Sequence, residues 1–234
     1  MNIVTRILYI KMILKFLSLL PHFIFKKITK NIDKKQKRDH YEQNFDIKKI
    51  SNSLFNNHQD FFIQLINQSN VYGEYGSGYS TLYAVDIAKK KTFSSETSKN
   101  WSETIKDNIE TKNLLNLLHV DVGDVSNWGW PINYSKSENF KAYFNHIWDH
   151  EIKPDFVLID GRFRVATFLT TLKYAEKNTI VLFDDYIKRK QYEVVEIFEK
   201  PYKTNERQAI FKVSKNYNLD DLDFYISKFE FVME

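Results

Sequence analysis

The chain has 234 residues, of which 43% are hydrophobic and 27% are charged. This length and this hydrophobic fraction are enough for one sizeable core. It has no cysteine, which excludes disulfides, thiolate metal sites and cysteine nucleophiles and suits a reducing compartment such as the cytoplasm. Ten Lys or Arg against one Asp give residues 1–38 a charge of +9, so the rest of a chain whose total is +4 carries −5. An acidic body argues against nucleic-acid binding, which needs basic residues across the folded surface.

The first segment, residues 1–40, joins an apolar stretch to a basic linker. Lys11 and Lys15 interrupt the apolar stretch and fall on one side of a helical wheel, with Leu, Ile, Met and Phe around the rest. We therefore predict an amphipathic helix and a peripheral contact of residues 3–38 with the inner face of the membrane. The alternatives are a helix that covers the domain's own core, one that packs on a second subunit of a homodimer, and a true membrane span.

Residues 41–234 are predicted to form a single Rossmann-like domain. After one or two helices, predicted strands alternate with predicted helices. The strands are VYGEY, KTFSSE, LLNLLHVDV, PDFVLID and NTIVLFDDY, and the helices YSTLYAVDIAKK, SKNWSETIKDNIE, FKAYFNHIWDHE, RVATFLTTLKYAEK and YEVVEIFE. PYKTN and RQAIFKVS are too close for a parallel crossover, so they predict a hairpin before a last amphipathic stretch. The pattern predicts a doubly wound α/β fold with a mostly parallel seven-stranded sheet and a C-terminal antiparallel hairpin.

Each of the first five predicted strands ends in an acidic residue. In chain order these residues are Glu74, Glu96, Asp121, Asp160 and Asp184. In open α/β sheets ligands bind at the carboxyl ends of the strands, beside the point where the strand order reverses. The sequence therefore predicts the functional site at this edge.

The stretch EYGSGYST, residues 74–81, turns the first predicted strand into a helix. Gly76 and Gly78 would let the backbone approach a ligand without a Cβ clash. A dinucleotide motif would have a third glycine at Thr81, and Glu74 would repel a pyrophosphate but could accept hydrogen bonds from an ammonium group. Glu96, 22 residues after Glu74, is placed to bind both hydroxyls of a ribose. A ligand with an amino-acid end, a ribose and no phosphate fits best.

These motifs resemble those of the class I S-adenosylmethionine-dependent methyltransferases. EYGSGYST is similar to their E/D-x-G-x-G motif, Glu96 to the ribose-binding acid, Asp121 in HVDVGD to the adenine-side acid, and DFVLID to the fourth-strand motif. The resemblance covers residues 61–214, and LIDGRFR and VLFDDY bring it nearest the small-molecule and sugar O-methyltransferases. It implies an S-adenosylmethionine site formed by Glu74, Tyr75, Gly76, Ser77, Gly78, Ser80, Thr81, Glu96 and Asp121. The chain departs from the pattern at Ser80, where many members have glycine, and in lacking the histidine of Asp-Gly-x-His.

Asp160, at the end of the fourth strand, is the predicted catalytic residue. It would act as a base, or with Asp184 and Asp185 hold a divalent metal such as Mg²⁺ that lowers the pKa of an acceptor hydroxyl. The alternative is that members of this trio pair with neighbouring cations such as Arg164. Arg162 and Arg164 are predicted to bind a carboxylate or phosphate of the acceptor.

The sequence as a whole predicts O-methylation of a small-molecule or sugar-like acceptor at or near the membrane. Two other functions stay open: a catalytically silent Rossmann-fold scaffold, and an NAD-dependent enzyme that modifies a nucleotide or a sugar. The WGWP stretch, residues 128–131, would wall the adenine or the acceptor pocket, or would be an ordinary packed loop.

Overall fold

The computed structural model of the protein describes residues 54–234, which all fall within the unit Asp46–Glu234. The predicted amphipathic helix, the basic linker and the domain boundary at residue 41 lie outside the described residues. Within residues 54–234, no helix combines the length and the apolar character needed to cross a bilayer.

Seven strands form one sheet in the order β3-β2-β1-β4-β5-β7-β6. They are β1 (Val71–Tyr75), β2 (Lys91–Glu96), β3 (Leu115–His119), β4 (Phe156–Ile159), β5 (Ile180–Phe183), β6 (Lys203–Thr204) and β7 (Ala209–Lys212). β1 to β5 are parallel, whereas β7 runs antiparallel to both β5 and β6. The predicted fold class is confirmed, and the strand order reverses between β1 and β4, where ligands bind in such sheets.

Six α-helices accompany the sheet in the described part of the chain. They are α1 (Asp60–Gln68), α2 (Tyr79–Leu82), α3 (Lys99–Asn108), α4 (Phe140–Asn145), α5 (Arg164–Tyr174) and α6 (Leu219–Phe229). Short 3-10 segments cover Leu54–Asn56, Lys112–Leu114, Asn127–Gly129, Ser137–Asn139, His146–Trp148 and Lys190–Ile197, and a π-helical turn covers Tyr83–Ile87. Ser98 caps α3, because its side chain accepts a hydrogen bond from the Trp101 backbone N–H.

Three elements differ from the sequence-based expectation. The helix predicted from Tyr79 continues beyond α2 as the π-helical turn, and the helix predicted in YEVVEIFE is the 3-10 segment Lys190–Ile197. The third strand ends at His119, so Asp121 lies two residues beyond the sheet rather than at its edge.

Aromatic packing fixes the strands that carry the site. β4 and β5 are buried on both faces, as their near-continuous apolar runs predict. Phe168 of α5 packs edge-to-face on Phe211 of β7, with ring centroids 4.7 Å apart. α5 and β7 are therefore held against the core beside the carboxyl ends of β4 and β5.

Candidate functional site

The loops after β1 and β4 meet backbone to backbone at the switch point. Gly76 has φ +90°, and a Cβ at this position would lie 2.6 Å from the Gly161 Cα. Apart from its own chain neighbours, no heavy atom of residues 54–234 lies within 4 Å of the position a Cβ would take at Gly78. Gly76 therefore allows the two loops to touch, while the backbone at Gly78 faces open space that a ligand can enter.

Glu74 lies under the loop rather than at its mouth. Its side chain is fully buried, and Oε2 accepts hydrogen bonds from Tyr72 Oη and Ser80 Oγ, each at 2.8 Å. Oε1 accepts from Ser94 Oγ at 2.8 Å and from Thr81 Oγ1. Burial raises the pKa of Glu74 to about 7, although the four hydroxyls act in the opposite direction.

This environment corrects the roles expected for Glu74, Ser80 and Thr81. All four acceptor positions of the Glu74 carboxylate are taken by protein hydroxyls, so none is left for the ammonium group of a ligand. The hydroxyls of Ser80 and Thr81 point inward at Glu74, and Thr81 Oγ1 also accepts from the Gly78 N–H at 2.8 Å. These three residues shape the loop from within.

Tyr75 also points away from the loop. Its side chain is fully buried, its hydroxyl donates to the Phe144 carbonyl at 2.7 Å, and it accepts from Trp148 Nε1 at 2.9 Å. Because this side chain is buried and its hydroxyl is already hydrogen-bonded on both sides, only the backbone of Tyr75 can line a ligand site.

Glu96 ends β2 beside the same loop and is 6% exposed. Its Oε2 accepts from the backbone N–H and the hydroxyl of Ser77, each at 3.0 Å. Its Oε1 accepts from the backbone N–H groups of Thr97 and Ser98, each at 2.8 Å. Burial raises the pKa of Glu96, although its hydrogen bonds act in the opposite direction. The carboxylate predicted to bind a ribose therefore already accepts from two hydroxyls, that of Ser77 at 3.0 Å and that of Thr97 at 3.5 Å.

The WGWP stretch lies over Glu96. The Gly129 carbonyl accepts from Thr97 Oγ1 at 2.7 Å, and a Cβ at Gly129 would lie 3.1 Å from Glu96 Oε1. Trp128, with φ +63°, is 86% exposed, and Trp130 is 42% exposed. The segment therefore covers one side of the carboxylate and presents two indole rings outward.

Asp121, the expected adenine-side acid, is exposed. It accepts from the Gly123 N–H at 3.1 Å and pairs with Lys136. These contacts lower its pKa, with the Lys136 hydrogen bond contributing most. The adenine role of Asp121 stays a prediction.

Asp160, Asp184 and Asp185 come together as predicted, with one oxygen of each lying within 4.8 Å of the others. β5 ends at Phe183, and Asp185 has φ +59°. The strand therefore ends before both aspartates, so the strict alternation of strand side chains does not apply to them and both carboxylates can join Asp160.

Guanidinium groups already neutralise this trio. Arg207 Nε donates to Asp184 Oδ1 at 2.8 Å, and Arg207 Nη2 lies 2.8 Å from Asp185 Oδ1. Arg189 Nη2 donates to Asp185 Oδ2 at 2.7 Å, and Arg164 Nη2 donates to Asp160 Oδ1 at 3.1 Å. Both oxygens of Asp184 and both oxygens of Asp185 already contact guanidinium groups, so a divalent cation would have to displace arginines. Three positive groups already balance three negative ones. The arrangement does not fit Mg²⁺.

Arg164 does not have the role expected of it. Its side chain is 3% exposed, and its donors reach the carbonyls of Gly161 at 3.0 Å and Asp184 at 2.7 Å as well as Asp160. It ties the ends of β4 and β5 together and has no exposed donor for an acceptor anion.

Asp160 keeps access to solvent, since its side chain is 32% exposed. Partial burial raises its pKa and the charge of Asp184 raises it further, while Arg164 opposes both effects. A carboxylate with a raised pKa is a better proton acceptor near neutral pH than an ordinary surface aspartate.

Comparison with solved structures identifies a protein of similar architecture. A methyltransferase-like protein from Silicibacter pomeroyi is 26% identical with a TM-score of 0.66, and the match covers 75% of this chain and 95% of that one. The chain belongs to the class I methyltransferase superfamily. The predicted superfamily, fold and enzyme class are thereby confirmed.

Two further solved methyltransferases are similar at lower identity and lower TM-score. An RNA methyltransferase from Salinibacter ruber in complex with S-adenosyl-L-homocysteine is 12% identical with a TM-score of 0.44, over 68% of this chain and 92% of that one. MycE from the mycinamycin biosynthetic pathway, in complex with Mg and SAH, is 11% identical with a TM-score of 0.43, over 79% and 56%. No protein-family model and no curated protein matches the chain.

Sequence reasoning missed two residues of the candidate site, Arg207 and Gln208. Gln208 Nε2 donates to Asp184 Oδ1 at 2.9 Å, alongside Arg207. The antiparallel register pairs Phe183 with Ala209, which sets Gln208 opposite Asp184. The hairpin itself was predicted, but the contact of these two residues with Asp184 could be predicted only with the register of the hairpin against β5.

Proposed function

We propose that the protein transfers the methyl group of S-adenosylmethionine to a hydroxyl of a small-molecule or sugar-like acceptor. The observation that carries the proposal is the buried carboxylate of Glu96, which binds the Ser77 hydroxyl next to the open space at Gly78. A ribose hydroxyl can replace that serine hydroxyl on Oε2 with the same chemistry, since both are neutral O–H donors.

The cofactor's other contacts follow from this placement. The backbone from Ser77 to Gly78 would lie along the amino-acid part of the cofactor, because no side chain of the described residues fills the space at Gly78. The adenine would extend beyond β2 toward Asp121 and the WGWP stretch, whose indole rings offer flat apolar surfaces.

The proposed chemistry is a single displacement. The acceptor hydroxyl oxygen forms a bond to the methyl carbon, the bond from that carbon to sulfur breaks, and S-adenosylhomocysteine leaves. The hydroxyl proton passes to the carboxylate of Asp160, whose raised pKa suits it to this role. Alignment of acceptor and methyl supplies much of the rate, and no step needs a metal ion.

We further propose that the reaction takes place at the inner face of a membrane in the cytoplasm. This proposal rests on the sequence of residues 3–38, with its apolar stretch and basic tract. Deletion of residues 1–38 should abolish binding to anionic phospholipid vesicles and spare cofactor binding. Vesicle binding by the shortened chain would contradict the proposal.

Calorimetric titration with S-adenosylmethionine, S-adenosylhomocysteine and NAD tests the proposed function. We expect both adenosyl ligands to bind and NAD not to bind. Binding of NAD alone would refute the methyltransferase and favour an NAD-dependent enzyme, and binding of none would favour a silent scaffold.

A further inference from the structure

The three carboxylates around Asp160 pair with three arginines, and a fourth arginine nearby, Arg162, does not pair with them. Asp160, Asp184 and Asp185 pair with the side chains of Arg164, Arg189 and Arg207. Arg162 has no carboxylate within ion-pair distance in residues 54–234. It stands two residues after Asp160 in the loop between β4 and α5. A positive charge beside the proposed reaction centre is therefore not neutralised by the trio.

The surroundings of Arg162 favour an anion over water. Its Nε is buried and has no hydrogen-bond partner among the described residues, although buried polar atoms usually have one. Its guanidinium carbon lies 5.2 Å from the centre of the Trp130 ring, which orients the planar group through a cation–π contact. Burial lowers the pKa of Arg162, and the neighbouring charge of Arg164 adds to this effect. A bound oxyanion would supply the missing acceptor and also a negative charge at ion-pair distance, which no carboxylate of residues 54–234 provides.

We propose that Arg162, held against Trp130, forms an oxyanion subsite, and that the methyl acceptor is an anionic molecule whose carboxylate or phosphate binds there. The hydroxyl to be methylated then lies on the Asp160 side of the same loop. Arg162 selects acidic acceptors over neutral ones, while Arg164 acts only within the protein. That the bound anion belongs to a methyl acceptor rests on the proposed function. Binding of an oxyanion by Arg162 does not depend on that function.

Glu234 provides a local comparison for this subsite. Burial raises the pKa of its side chain, while the charges of Arg162 and Arg164 lower it. Its Oε2 is buried without a hydrogen-bond partner within residues 54–234. A carboxylate of the protein itself therefore lies in the electrostatic field of Arg162, as the anion of an acceptor would.

Arginine side-chain NMR tests the subsite without cofactor or acceptor. The Nε–H resonance of Arg162 is identified in the ¹⁵N-labelled full chain as the one missing from Arg162→Gln. Inorganic phosphate and acetate are then titrated separately, to distinguish a phosphate-bearing from a carboxylate-bearing acceptor. We expect at least one to shift this resonance saturably, with a dissociation constant of about 1–10 mM. No saturable shift with either anion in the unchanged protein would overturn the proposal.

Variants separate the subsite from general charge effects. Arg162→Gln should weaken binding of the same anion, followed by calorimetry, at least about tenfold. Lys188→Gln, which removes an equal charge from an exposed position near β5, should leave it unchanged. Equal loss in both variants, or no loss in Arg162→Gln, would overturn the proposal. Glu234→Gln should bind the anion at least as tightly as the unchanged protein, and weaker binding would contradict it.

The test of the oxyanion subsite and the test of the proposed function can fail independently of each other. If S-adenosylhomocysteine binds but the oxyanions do not, the methyltransferase assignment stands and the anionic acceptor is wrong. If the oxyanions bind through Arg162 but S-adenosylhomocysteine does not, the subsite stands and the proposed function is wrong.

Discussion

Replacement of Glu74 by glutamine should remove a pH dependence from the stability of the fold. Glu74 is buried beneath the glycine loop, and its pKa is raised from 4.5 to about 7 in the folded protein. Between these two pH values the folded protein binds more protons at this site than the unfolded chain does. The free energy of unfolding therefore falls as the pH rises through this window, and levels off above the folded pKa.

The size of the effect follows from the shift. Each pKa unit corresponds to about 1.4 kcal/mol, so a change from 4.5 to about 7 is worth about 3 kcal/mol. Glutamine keeps the shape of the side chain but cannot ionise. We therefore expect the unchanged protein to lose about 3 kcal/mol relative to Glu74→Gln between about pH 4.5 and pH 8.

Urea unfolding of both proteins across this range measures the difference. Glu103→Gln on the exposed side of α3 is the matched control, and its stability curve should stay parallel to that of the unchanged protein. Parallel curves for the unchanged protein and Glu74→Gln would refute the reasoning. If the unchanged protein instead gains stability relative to Glu74→Gln as the pH rises, the hydroxyls around Glu74 stabilise its charged form more than burial disfavours it.

Three further predictions concern the carboxylate trio. Asp160→Asn should lower kcat about 10²- to 10⁴-fold because it removes the proton acceptor, while the affinity for S-adenosylhomocysteine stays within about twofold. An unchanged kcat would exclude Asp160 as the base. Arg207→Gln should destabilise the protein by about 3 kcal/mol in urea unfolding, because it leaves the buried Asp184 without its main counter-charge. The unchanged protein should show no calorimetric binding of Mg²⁺ at about 1 mM, and binding there would restore the predicted metal site.

Much of the sheet was predictable because its strands have simple chemical patterns. The buried runs of β4 and β5 and the turn at Gly76 and Gly78 mark the switch point directly. Asp160 and Asp184 each follow the last residue of a strand, so parallel pairing brings them to the same edge. These features are local, and the sequence contains them in full.

The missed features depend on register and on burial. Glu74 pairs with Ser94 across β1 and β2, so a hydroxyl of the neighbouring strand takes a position that the sequence left for a ligand. Arg207 reaches Asp184 only because the hairpin returns beside β5. Counter-charges from distant parts of the chain decide whether an acidic cluster binds a metal, and residue types alone do not reveal them.

Binding of S-adenosylhomocysteine to the unchanged protein and to Glu96→Ala tests the central claim most directly. Glu96 would bind the ribose through charge-assisted hydrogen bonds, so its loss should weaken binding about 10- to 100-fold by calorimetry. Glu103→Ala, a carboxylate removed from the exposed side of α3, should bind like the unchanged protein. Equal affinity in the unchanged protein and Glu96→Ala, or no binding to the unchanged protein, would contradict the cofactor site.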